Sequence, residues 1–241
     1  MKAQGSEPSP LVLARYAGIL YLVIIICAGF AEGFVRSSLI VPGDAAATAG
    51  NILAHEGLFR LGFAADLLAF ISDLVVAVLF YLLLKPVSKT LSLIAAFFRV
   101  LAHPAIASVN LLNHFAALLL LSGAGYLSPF NEDQVNAMVL MSLETHRYGY
   151  LIGGAFFGFH CLLLGYLLIR SDLFPGILGI LMAVASLGYL AESFGNFLFP
   201  GYEDVLTLTV AVPAVIAEVS LCLWLVIRGV KRTGVRGIGT E

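Results

Sequence analysis

The sequence predicts an all-α integral membrane protein: a bundle of six transmembrane helices with a short interfacial helix between the third and fourth spans. Three observations carry this. Of 241 residues, 60% are hydrophobic and 12% charged, and the mean hydropathy is +0.99, far too apolar for a soluble chain of this length. Apolar runs long enough to cross about 30 Å of hydrocarbon recur six times. Nine of the 13 basic residues, Lys2, Arg15, Lys85, Lys89, Arg170, Arg228, Lys231, Arg232 and Arg236, fall on one side of a six-span arrangement. The positive-inside rule assigns that side, with both termini, to the cytoplasm. A net charge of −2 without a long basic block argues against nucleic acid as a partner.

Residues 1–10 read as a disordered cytoplasmic lead, 11–229 as one transmembrane domain and 230–241 as a basic cytoplasmic tail. Leu11–Phe34 is the first span, too long for the core of a cleaved signal peptide. Beyond it Glu32 and Arg36 stand one turn apart and can pair. Asp44 follows a Pro-Gly turn and caps a short helix through Ala45–Glu56. Leu58–Leu84 is the second span, with Asp66 and Asp73 on one face and Arg60 free to reach outward. Lys85-Pro86 ends it. Leu91–Leu121 is the third span, with Pro104 inside. In the long connection after it, Asn131, Glu132 and Asp133 open a helical pattern through Leu143, placed on the membrane surface. Tyr148–Leu168, Phe174–Phe199 and Val205–Ile227 complete the set, the last containing Pro213 and Glu218. Cys27, Cys161 and Cys222 lie in apolar runs and read as packing residues.

The third span carries the clearest chemical signal. At 100° per residue, Arg99, His103, Asn110 and His114 fall within an arc of about 60°. Facing lipid, such a stripe would cost about 2.5–3.5 kcal/mol per charge, so it faces protein or water. Counting along each span at about 1.5 Å per residue, Asp73, His103, His160 and Glu218 fall near the midplane. Asp66, His114 and Glu192 form a layer further from the cytoplasm, with Asn196, Glu32 and Arg60 beyond. Tyr189, Glu192 and Asn196 share a face of the fifth span, and His146, Tyr150, Gly153, Phe157 and His160 share one of the fourth.

Intramembrane ionisable residues mark functional sites by default. The first reading is a polar cavity that binds or transports a small polar molecule or ion, with Asp66, Asp73, Arg99, His103, Asn110, His114, His160, Glu192, Asn196 and Glu218 as ligand contacts or proton pathway. The alternative is a divalent metal held by Asp73, His103, His160 and Glu218, serving an intramembrane hydrolase of a lipid-like substrate. No close-spaced pair such as HExxH supports it. A third reading is haem in an electron-transfer protein, ligated by His103 with His160 or His114 with His146, with Gly149, Gly153, Gly154 and Gly158 making room for a flat ring. A structural or accessory subunit, its polar pairs serving packing alone, is the remaining reading. The lipid bilayer is the obligatory partner, and a second copy of the chain a candidate one.

The segments ARYAGILYLVIIICAGFAEGFVR, LIVPGDAAATAGNILAHEGLFRLGFAADLL and FFGFHCLLLGYLLIRSDLFPGILGIL resemble an uncharacterised bacterial multi-pass membrane family, the domain of unknown function 4386, over roughly Leu13–Ile227. The resemblance implies a bacterial inner (plasma) membrane. It carries over no site residues.

Overall fold

A computed structural model describes residues 8–231. Six helices are long and apolar enough to span a membrane: α1 (Pro10–Leu39), α3 (Glu56–Leu84), α4 (Lys89–Leu120), α5 (Glu132–Arg170), α6 (Gly176–Leu198) and α7 (Glu203–Ile227). The short α2 (Ala45–Ala54) lies between the first two, and no strand occurs among the described residues. The outer faces carry large apolar side chains such as Ile71, Leu112, Leu187 and Val212, as lipid requires. The chain is a multi-pass membrane protein. Lys2, Arg232 and Arg236, and with them most of the flanks expected at 1–10 and 230–241, lie outside the described residues.

Local chemistry sets the helix ends. Ser9 and Ser88 accept from Val12 N and Leu91 N to cap α1 and α4, and Asp44 accepts from Ala47 N to cap α2. Asn131 and Gln134 satisfy each other's backbone N–H groups in a capping box that starts α5. The helix expected to lie on the membrane surface before the fourth span does form, but as the first turns of α5 rather than as a separate element. No Pro or Gly separates Glu132 from Arg147, so the helix runs unbroken for 39 residues, about 58 Å at 1.5 Å per residue. This end of α5 is covered by protein: Val139 and Leu143 pack with Val35, Leu39, Ile52 and Phe59 in a core above the membrane-spanning bundle.

Two helices widen into π-type turns. In α4 the stretch Leu101–Ala107 surrounds Pro104, whose ring lacks an N–H and would strike the carbonyl four residues back. The wide turn removes the clash, and the Ser108 N–H bonds to the His103 carbonyl. In α1 the wide stretch is Gly29–Arg36, where two glycines weaken the regular helix. Such turns favour functional sites, and these two carry His103 and Arg36.

Each long helix packs on the next, and α1 closes the ring against α7. Gly18 permits that closure: a Cβ there would lie 2.8 Å from Leu225 Cβ. The end holding Arg15, Lys85, Lys89, Arg170 and Lys231 is filled by a large apolar core. The other half of the ring interior is polar.

Candidate functional site

Two polar clusters occupy the ring interior. In the inner one, Arg99 is fully buried. Its Nε and Nη2 donate to Asp73 Oδ1 at 2.8 and 2.5 Å, and its Nη1 meets His160 Nε2 at 3.1 Å. The His160 Nδ1–H donates to the Ala95 carbonyl (2.8 Å), which leaves Nε2 as the acceptor Arg99 needs. Tyr21, Phe80 and Phe157 surround the guanidinium, 4.9 to 5.8 Å from ring centre to Cζ. The other oxygen of Asp73 accepts from His103 Nδ1 at 3.0 Å. Beside this network Glu218 accepts from the hydroxyls of Tyr21 (3.1 Å) and Tyr189.

In the outer cluster Arg36 is the hub. Its Nε donates to Glu32 and its Nη1 to Asp66, each at 2.6 Å, with the Tyr150 ring 5.6 Å from the guanidinium carbon. Asn110 and His146 clamp α4 to α5. Asn110 Nδ2 donates to the His146 carbonyl (2.7 Å), and His146 Nδ1–H to the Asn110 carbonyl (3.0 Å). His114 stacks on Phe59 and donates from Nε2 to its carbonyl (3.2 Å).

Beside the clusters and the loop that joins α1 to α2 lies an open cavity of about 690 Å³. Glu144 and Arg147, half-exposed, stand at its rim, and buried Arg36 and Asp66 line it with Glu192 and Asn196 of α6. Its floor is His103, Phe157 and Tyr189. Arg147 pairs with Glu144 (3.1 Å) and reaches Asn196 Oδ1 at 3.5 Å. Thus His103 and Tyr189 connect the cavity to the inner cluster, each held from behind by a carboxylate.

All ten candidate residues point into the ring, but they do not form one site. Asp73, Arg99, His103, His160 and Glu218 belong to the inner cluster; Asp66, Glu192 and Asn196 belong to the cavity; Asn110 and His114 serve helix packing. The metal reading is corrected here. No group of three or more His, Cys, Asp or Glu suited to a metal occurs among the described residues, because the Arg99 guanidinium occupies the point on which Asp73 and His160 converge, and Glu218 faces tyrosines. The haem reading meets the same kind of obstacle. The His114 and His146 rings lie edge-on, 5.5 Å between centroids, and Gly149, Gly153 and Gly158 are filled by Asn110, Ala102 and Leu190, so helix contacts take the space a flat ring would need.

Arg36, His146 and Tyr150 matter more than the sequence suggested. His146, which precedes the expected start of the fourth span at Tyr148, is 2% exposed, and the face it shares with Tyr150 and Phe157 is the signal for it. Arg60 does reach outward, pairing with Glu56 (2.7 Å).

A family model described as a domain of unknown function, DUF4386, matches residues 16–229. The chain belongs to the DUF4386 family. A protein of Archaeoglobus fulgidus, described as an uncharacterised protein, is 31% identical over 165 residues, covering 68% of this chain and 81% of the relative. That relative is archaeal, so similarity to this chain is not confined to bacteria. No solved structure matches.

Proposed function

We propose that this DUF4386 chain binds a small polar molecule or ion in the cavity between its helices and passes it across the membrane. One observation carries the reading: an open, charged cavity of about 690 Å³ inside a ring of membrane-spanning helices. A volume of about 300–1,000 Å³ is that of small-ligand sites generally, and charge at this depth is costly unless it serves a pathway or a partner. His103 backed by Asp73, and Tyr189 backed by Glu218, form a proton relay at the floor. Residues 11–229 act as one transmembrane unit. The basic residues gather at the closed end, so the positive-inside rule turns the cavity away from the cytoplasm, in a bacterial plasma membrane.

The test uses a variant in which Cys27, Cys161 and Cys222 are serine and single cysteines replace Glu32, Glu192 or Ala77, which is fully buried one turn below Asp73. A membrane-impermeant thiol reagent applied to intact cells should label positions 32 and 192 and leave position 77 unlabelled. Equal labelling from both sides, or none at 32 and 192, would rule out an outward-facing cavity closed at His103 and Tyr189.

A further inference from the structure

We infer that the cavity takes an organic cation: a small ammonium compound with N–H donors and an apolar or aromatic body. The inference rests on reading the cavity as a binding site and specifies what that site recognises. Four carboxylates line it, those of Glu32, Asp66, Glu144 and Glu192, against two guanidiniums, Arg36 and Arg147. Arg36 is shared by Glu32 and Asp66, and Arg147 is held by Glu144. Glu192, half-buried on the α6 wall, forms no ion pair with the described residues; Thr207 is its hydrogen-bond neighbour, and the positive charge that acts on it, that of Arg147, is already held by Glu144. The lining is therefore short of positive charge.

It also holds an acceptor that no donor meets. His146 lines the same cavity and is 2% exposed. Its Nδ1–H is committed to the Asn110 carbonyl, which leaves Nε2 as an acceptor. That nitrogen is buried and has no partner among the described residues. A buried acceptor without a donor costs free energy until something donates to it. An ammonium group supplies both what Glu192 lacks and what His146 lacks. A carboxylate or phosphate ligand would add to the surplus of negative charge and could not donate.

The remaining wall argues for an organic cation over a bare metal ion. Tyr150, Phe157 and Tyr189 line the cavity, and aromatic side chains attract ammonium groups and bury apolar bodies. The space is also far larger than one ion requires, and no three metal-ligating side chains gather among the described residues.

Three probes of matched shape separate the charge classes: 2-phenylethylammonium, 2-phenylethanol and 3-phenylpropionate, titrated by calorimetry into the full chain in lipid nanodiscs, against empty nanodiscs. The ammonium should bind roughly tenfold or more tighter than the alcohol, and the carboxylate weakest. Glu192→Gln should weaken the ammonium by roughly tenfold and leave the alcohol unchanged. Glu32→Gln, whose side chain is 72% exposed and keeps an amide oxygen to accept from Arg36, should weaken it in the same direction. Tightest binding by the carboxylate, or equal binding of all three, overturns the cation inference while the cavity stands. If none binds, although the thiol reagent labels positions 32 and 192, the inference fails and the cavity again survives.

Discussion

The Arg99 network makes an asymmetric prediction: removing Asp73 harms the fold more than removing Arg99. As built, one guanidinium and one carboxylate cancel. Asp73→Asn leaves a buried cation that cannot shed its proton, and breaking a buried pair from one side costs about 3–5 kcal/mol. Arg99→Met leaves a carboxylate instead, and a hydrogen-bond donor already touches it: His103 Nδ1–H bonds to Asp73, and the His103 side chain is 22% exposed on the cavity floor. Lost contacts with Tyr21, Phe80 and Phe157 cost about 0.5–2 kcal/mol. In Arg99→Met/His103→Phe the buried Asp73 carboxylate loses both its partners, at about 3–5 kcal/mol.

Unfolding in mixed micelles titrated with SDS, followed by circular dichroism, measures all three variants. Asp73→Asn and the double variant should each lose about 3–5 kcal/mol, and Arg99→Met about 1–3 kcal/mol. An Arg99→Met protein as weak as the double variant, or an Asp73→Asn protein no weaker than Arg99→Met, refutes the reasoning.

Two further outcomes test packing and closure. Gly165→Leu should destabilise by about 1–3 kcal/mol or more, because a Cβ there would lie 2.7 Å from the Gly179 carbonyl and must force α5 from α6; Gly50→Ala in α2, with nothing within 4 Å, should be neutral or stabilising in the same titration. Phe157→Ala should cost about 3–5 kcal/mol and open the cavity floor, so that Cys161, one turn below and fully buried, reacts with a thiol reagent that leaves it untouched in a Cys27→Ser/Cys222→Ser background.

Hydropathy alone carried the six spans, and helical periodicity carried the inward faces. The Arg99–His114 stripe, the pair Asp66 and Asp73, and the face of Tyr189, Glu192 and Asn196 all turn into the ring. The ends and the partners were harder, for related reasons. A hydropathy pattern measures the lipid-exposed length of a helix, and where protein covers the helix its sequence turns polar while the helix continues. The first span was ended at Phe34, yet the helix runs to Leu39 and carries Arg36 into a buried position. The fourth was begun at Tyr148, yet it starts at Glu132 and buries His146. Depth counting puts Asp73, His103, His160 and Glu218 near one level, and the structure joins Asp73 to His103 and, through Arg99, to His160. Counting could not say that Arg99, on the same stripe as His103, reaches across to stand among them.

The two aspartates of α3 show how one device yields two outcomes. They are two turns apart, about 10.5 Å along the helix, and each meets an arginine from a neighbouring helix: Arg36 from α1 and Arg99 from α4. At Asp73 the arginine is bonded to one carboxylate and enclosed by aromatic rings on three sides, while Glu218 beside it is held by the hydroxyls of Tyr21 and Tyr189. Every charged group there has its partner within the protein, so this half of the ring is a plug. At Asp66 the arginine is divided with Glu32, whose side chain is largely exposed, and Glu192 stands across the cavity without an ion-pair partner among the described residues. The charges do not cancel there. A membrane protein can leave a surplus of charge only where water or a ligand completes it, and that completion is available only above the floor formed by His103, Phe157 and Tyr189. The floor therefore divides a structural ion pair from a binding one.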